Sequence, residues 1–483
     1  MVRAVLSALP IAVLVAVLTA FRLPAWCAAL TALATGVAEA LFAFGVPCRV
    51  VLDCAAKGAA TGLFPIGLVI VAALFTYAVT VETGAIEEIK RGLSSLSSDV
   101  RFQVLLVAWG FGNFMEGMAG FGTAVAIPCA ILVGVGVKPL VAVLCCLVAN
   151  TTPTAFGSVG VPTMVLAGET GLALPRLTST IAVLQLAATS LSPFLMLIVA
   201  DGWRGVRECW RLALAADAVF IASWLAVAPV LGCELPDVVG GIAVMAAFAA
   251  MGRRDGIDVR RQMWAWQPFA FVVAALGCAA FLPQAAKPSP GFVIFAAAFA
   301  GGLCQRERPL RLLRLACRTA ARYSLALLTI CAVLALAKVM GAAGMTQTLA
   351  DRLIAATGPL YPAVSPVVGA LAGFVTGSGP SSNVLFGALQ ASVGANEAQS
   401  FLFAAANVMG AGIGKMVCPQ SLVLGCAAAG LAGREREVMA KALRYFAAVL
   451  AVACAATFAA GTTAAGGGGA DAKYGTISVD KDR

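Results

Sequence analysis

The chain has 483 residues, 61% of them hydrophobic and only 12% charged, with a net charge of +10. So little charge cannot cover the surface of a soluble enzyme of this length, and the apolar runs approach the roughly 20 residues that a helix needs to span a bilayer. A transmembrane barrel would alternate over segments of about 10 residues instead, so the expected fold class is an all-α polytopic membrane protein.

In chain order, apolar runs near 5–21, 24–45 and 60–80 read as spans. The first has the charge and apolar core of a signal peptide, but the next run follows almost at once, which favours a first span. A charged loop at 87–101 comes next, and the run from Glu82 to Lys90 reads as the start of an interfacial helix. Residues 102–137 are apolar but broken at 113–123, and residues 138–168 are apolar but broken at 150–162. A span at 176–200 leads to the loop 203–211 with three arginines. Spans near 212–232 and 237–252 precede Arg253, Arg254, Arg260 and Arg261. After spans near 267–283 and 290–304 lies the most basic loop, 306–322, with six arginines. A span at 323–340 follows, then residues 359–394, broken at 376–383, and 400–431, broken at 410–419. The last span is 441–461, and the glycine-rich, then polar tail 466–483 is expected to be disordered.

The cations sit in short loops between apolar runs, which is the positive-inside pattern of a membrane protein rather than a nucleic-acid surface. Requiring the basic loops near 90, 207, 257, 314 and 436 to share one side fixes the parity of the crossings. Parity holds when 102–137 and 359–394 each dip in and return as re-entrant hairpins, entering from opposite faces. The result is 12 transmembrane helices plus two hairpins, with both termini outside. The halves also resemble each other. Phe114, Gly117 and Gly134 match Phe374, Gly377 and Gly394, while Asn150, Gly157, Pro162 and Gly168 match Asn407, Gly414, Pro419 and Gly425. Together with the parity this predicts inverted-topology repeats, a common plan for secondary transporters. The expected division is 1–58 (N-terminal spans), 59–200 (first repeat), 201–322 (central spans and basic loops), 323–465 (second repeat) and 466–483 (tail).

Broken backbone within a membrane is tolerated where protein or a polar cavity satisfies it, so the four breaks are expected to share one cavity. Helix N-termini opening there suit an anionic group such as a carboxylate. Glu116, in a glycine-rich break, reads as a proton carrier, because burial disfavours a charged carboxylate; the other reading is an acceptor that caps loose amides. Lys415 either pairs a substrate carboxylate as a point charge, or pairs with an acid, or snorkels to the interface. Gly120, Phe121, Gly122 and Thr123 form the rest of the first break. Thr376, Gly377, Ser378, Ser381, Ser382 and Asn383 offer hydroxyls and an amide that could bind substrate or cap a helix. Asn150, Thr151, Asn407, Gln420 and Ser421 read in the same way. Glu39, Asp53 and Lys57 lie near proposed span ends, where surface roles are expected, and Asp217 and Lys338 read as interfacial.

The chain has no histidine, which removes the commonest metal ligand and the usual proton shuttle. Its 15 cysteines show no CxxC spacing and read as small buried hydrophobes. No Walker A motif is present, so no ATP-driven step is expected. No cofactor, metal site or enzymatic activity is expected.

At the same breaks the chain resembles the L-lactate permease family. The stretches FMEGMAGFGTAVAIP (114–128), ANTTPTAFGSVGVP (149–162), TGSGPSSNVLFGALQ (376–390) and GKMVCPQS (414–421) resemble that family's signatures and occur in its order. The resemblance implies proton-coupled uptake of L-lactate, and often D-lactate or glycolate, across the cell membrane. The combined expectation is a secondary transporter for small 2-hydroxy monocarboxylates that works by proton symport and alternating access, with its partners being substrate, protons and the lipid bilayer. A sodium-coupled carboxylate carrier and an anion channel are the alternatives, and a homodimer would suit a moving unit that needs a fixed scaffold.

Overall fold

A computed structural model describes residues 2–19, 21, 23–252, 258–283, 286 and 288–466. The tail expected to be disordered (from residue 467) and Arg253 and Arg254 lie outside the described residues. Every regular element among the described residues is helical. The chain is a multi-pass helical membrane protein: among the described residues seven helices are long and apolar enough to cross a bilayer, or eight if the bent pair Glu397–Lys415 and Pro419–Ala428 counts as one span. The reading of 12 spans exceeds this because several of the runs it counted form shorter apolar helices, such as Pro236–Met251 and Pro290–Cys304, or helices broken within the run.

Antiparallel helical hairpins stand where the two re-entrant hairpins are expected. In the first, Val100–Gln103, Val104–Phe111 and Gly112–Met118 make one leg and Thr123–Gly134 the other. The legs are antiparallel: Gly112 faces Ala124 and Pro128, and Thr123 Oγ1 donates to the Met115 carbonyl at 3.3 Å. In the second, Tyr361–Thr376 and Gly379–Val393 pair Tyr361 with Gln390 at the base and Thr376 with Ser382 at the tip. Both expected broken spans are also present, as Pro139–Ala149 followed by Gly157–Thr170, and as Glu397–Lys415 followed by Pro419–Ala428 at an angle of 42°.

The order of elements recurs in the two halves. Leu68–Glu82, a left-handed Gly84 and the short helix Ala85–Ser95 precede the first hairpin; Ser324–Ala342, a left-handed Gly344 and Met345–Thr357 precede the second. Glycine adopts positive φ without the Cβ penalty other residues meet, so each marks a sharp turn from a span into a short helix.

Two expected loops are helical. Residues 203–211 continue Ser192–Leu231 past a bend at Asp201 and Gly202, where the backbone leaves helical angles. Residues 309–322 form the amphipathic helix Pro309–Arg322, with Leu312, Ala316 and Thr319 buried on one face and arginines on the other. Glu39 departs from its expected surface role: it is buried in Ala25–Phe42 with neither carboxylate oxygen bonded. Asp217 is likewise buried, and Lys338 pairs with Glu169 at 3.2 Å. Asp53 and Lys57 pair with each other in an exposed position, as expected.

Glycines set the closest helix contacts. Gly369 and Gly373 of Tyr361–Thr376 face Asn407 and Ala411, while Gly410 and Gly414 of Glu397–Lys415 face Pro366 and Ala370. A Cβ at any of the four would collide with the opposing backbone. Small residues four apart let membrane helices approach at backbone distance, and this contact carries Lys415 to the tip of the second hairpin. On the other side, Pro236–Met251 runs antiparallel to the first hairpin, with Val244 against Gly110, Gly241 against Phe114 and Asp237 against Gly117.

Candidate functional site

The turn of the first hairpin is built from three consecutive left-handed residues, Gly120 (φ 63°), Phe121 (φ 51°) and Gly122 (φ 86°). The break at 150–162 has a matching run, Ser158 (φ 47°), Val159 (φ 57°) and Gly160 (φ 78°). Left-handed φ at a β-branched valine is unfavourable and persists only where surroundings impose it. Here Ser158 Oγ donates to the Ala119 carbonyl at 3.2 Å, tying the two breaks together. A Cβ on Gly120 would run into Ser158 Oγ, and one on Gly122 into Leu424. The second hairpin turns at Gly377 (φ 63°), and Ser378 caps the helix Gly379–Val393.

All four breaks meet around one small cavity of about 40 Å³. Of the sequence-predicted residues, Glu116, Phe121, Gly122, Gly377, Ser378, Lys415 and Gln420 line it. Lys415 Nζ donates to Glu116 Oε1 at 2.7 Å, with side-chain exposures of 7% and 5%, so the lysine pairs with an acid and does not snorkel. Glu116 Oε2 has no partner. Gly157 lies against the Glu116 side chain, and the helices beginning at Gly379 and Pro419 present their N-terminal residues, including Gly379, Pro380 and Gln420, to the same space. The site therefore combines a buried ion pair with partly positive helix ends.

The other predicted residues support the breaks. Thr123 Oγ1 donates to the Gly120 carbonyl at 2.8 Å, and Thr151 Oγ1 to the Val148 carbonyl at 2.8 Å. Thr376 Oγ1 joins Ser382 Oγ at 2.8 Å, and Ser382 Oγ donates to the Ser378 carbonyl at 2.7 Å. The Ser381 amide donates to Ser378 Oγ at 3.5 Å, and the Ser421 hydroxyl accepts from Cys418 Sγ at 3.0 Å. Asn383 and Asn407 do not line the cavity but belong to a buried chain of amides that reaches it at Pro162. Gln390 Nε2 donates to Asn407 Oδ1, Asn407 Nδ2 to Asn383 Oδ1, and Asn383 Nδ2 to the Pro162 carbonyl, at 2.9–3.0 Å. Asn150 is buried, with Oδ1 unpartnered.

The sequence reading missed several groups. Thr154, Gly157, Ser158, Pro162, Gly379 and Pro380 also line the cavity. Asn113, one turn before Glu116 on the same helix face, is fully buried with neither side-chain polar atom bonded. Asp237 is fully buried beside Gly117. In sequence it follows Pro236 at the head of an apolar run, where an acid reads as an ordinary helix start. A larger cavity of about 580 Å³, bordered by Phe114, Met245, Trp266 and Phe269, is lined by no charged side chain. Among the described residues, no group of three or more Cys, Asp or Glu is placed to hold a metal ion.

Discontinuous helices converging on a buried polar site within a multi-pass helical membrane protein are an arrangement common among secondary transporters. The profile of the L-lactate permease family matches residues 3–284 and 271–462, and the chain belongs to that family. It is 35% identical to an L-lactate permease of Streptococcus iniae over 429 residues, covering 81% of this chain and 90% of the relative. It is 32% identical to a glycolate permease of Escherichia coli (strain K12) over 530 residues, covering 93% and 94%. It is 31% identical to an L-lactate permease of Bacillus subtilis (strain 168) over 521 residues, covering 90% and 92%.

Proposed function

We propose that the chain is a secondary active transporter of the cell membrane that carries small 2-hydroxy monocarboxylates, L-lactate foremost and also D-lactate or glycolate, together with protons. The observation that carries this reading is the buried Lys415–Glu116 pair at the junction of all four breaks. A substrate carboxylate competes with Glu116 for Lys415 and for the helix ends. Once Lys415 turns to the substrate, Glu116 is a buried carboxylate without its counter-ion, and it takes up a proton. Anion binding and proton binding are thereby linked. Ser378 and Gln420, which line the cavity, would meet the 2-hydroxyl. The cavity of about 40 Å³ has room for about three waters at the 10–15 Å³ each one needs, less than a three-carbon hydroxy acid fills. Loading therefore requires the breaks to part, in keeping with alternating access in which a hairpin-bearing unit moves against the rest; a homodimer would give that unit a fixed scaffold.

The test is Glu116→Gln in proteoliposomes. The variant is expected to lose proton-driven accumulation of labelled L-lactate while still exchanging lactate for lactate. Full accumulation by a well-folded Gln variant would remove Glu116 from the coupling role.

A further inference from the structure

Asp237 plays no part in the exchange between Glu116 and Lys415, yet it lies against the residue next to Glu116. A Cβ on Gly117 would sit 2.8 Å from the Asp237 Cβ, so this glycine makes the space the acid occupies. Asp237 is fully buried; Trp224 Nε1 donates to its Oδ1 at 3.0 Å, and Oδ2 has no partner. Glu116 Oε2 is also buried and unpartnered. Glu116, from the first hairpin, and Lys415, from the second broken span, lie within electrostatic reach of Asp237. Trp224 faces it from Ser192–Leu231, and Cys233 and Glu234 precede it on its own connection.

Glu116, Asp237 and Lys415, all buried, are two carboxylates and one ammonium and carry one negative charge in excess among themselves. An uncompensated buried charge is costly, and a single proton removes it. Two carboxylates held in one such site do not both stay ionised. We infer that Asp237 is the second carboxylate of the proton site and that it shares one proton with Glu116 beside Lys415. This rests on the proton-symport reading and deepens it. With Asp237 in place, the substrate-free site already holds a proton under conditions in which the balanced pair Glu116–Lys415 alone would need none. Arrival of an anionic substrate at Lys415 then draws in the next proton. Without Asp237, that protonation requires a more acidic medium.

The experiment measures proton-driven L-lactate uptake against external pH in proteoliposomes containing wild type, Asp237→Asn or Trp224→Phe, each first shown to be monodisperse and to exchange lactate for lactate. Asp237→Asn keeps an oxygen for the Trp224 hydrogen bond but removes the charge. It is expected to cut uptake at pH 7 at least tenfold and to recover at a pH lower by about one unit or more. Trp224→Phe keeps both carboxylates but removes a hydrogen bond that favours the charged form of Asp237, so its profile is expected to move to higher pH, opposite to that of Asp237→Asn. An Asp237→Asn profile that superimposes on wild type would overturn the assignment, as would a Trp224→Phe profile that coincides with wild type or moves to acid pH; this second comparison decides the matter even if the Asn variant does not fold. Wild type that fails to accumulate lactate under a proton gradient would instead overturn the symport reading beneath it.

Discussion

Glu116 and Lys415 come from opposite halves of the chain and meet at 2.7 Å with almost no exposure. Removing one partner of such a pair leaves a buried charge uncompensated, at a typical cost of about 3–5 kcal/mol, whereas removing both is far milder. Lys415→Met is therefore expected to lower stability by about that much, and Glu116→Gln with Lys415→Met to recover most of the loss. Thermal unfolding in detergent checks this; equal stability of the single and double variants would mean that the pair is not a buried charge balance. The same Lys415→Met change should raise the half-saturation concentration for L-lactate about tenfold or more, roughly the 1.4 kcal/mol of one lost charge contact, and an unchanged value would leave the lysine a packing role. Both residues were legible in the sequence, because an ion inside a glycine-rich apolar stretch is too costly to keep unless it is paired or used. Asp237 was not, because its burial comes from a neighbouring helix that a linear reading cannot supply.

The hairpins and broken spans owe their shapes to glycine. Gly120 combines positive φ with a contact to Ser158 that admits no Cβ. Gly120→Ala is expected to cost about 1–2 kcal/mol for the left-handed backbone alone, with a further loss from that collision and a drop in transport beyond the loss of folded protein. Gly373 faces the Ala411 backbone, and Gly373→Leu should displace Glu397–Lys415, and Lys415 with it. Transport should fall at least tenfold in that variant, and a fully active Gly373→Leu protein would show that the close helix contact does not position the site. The breaks could be read from sequence because glycine, serine, asparagine and proline interrupt apolar runs at matching places in both halves. The helices at 203–211 and 309–322 could not be read that way, because their arginines look like loop in a hydropathy profile, although the second buries one face. Gly84 and Gly344, at the same point in the two halves, also escaped notice, since an isolated glycine at the end of a span reads only as a turn.

Beyond the site, ion pairs among the described residues also join the halves. Lys338 of Ser324–Ala342 pairs with Glu169 of Gly157–Thr170, whose side chain is only 6% exposed. Lys338→Met is expected to destabilise the protein by about 1–3 kcal/mol by stranding that acid while leaving the half-saturation concentration for lactate near wild type; denaturation and uptake assays on the same preparation separate the two effects. Membership of the L-lactate permease family fits the sites and the architecture together, and the coupling ion is what remains to be measured. That measurement is uptake of labelled L-lactate by proteoliposomes under an imposed inward proton gradient in the absence of sodium. The Glu116–Lys415 account predicts accumulation above equilibrium that collapses when a protonophore is added. Accumulation that appears only when sodium is supplied, or equilibration without accumulation under any gradient, would contradict it.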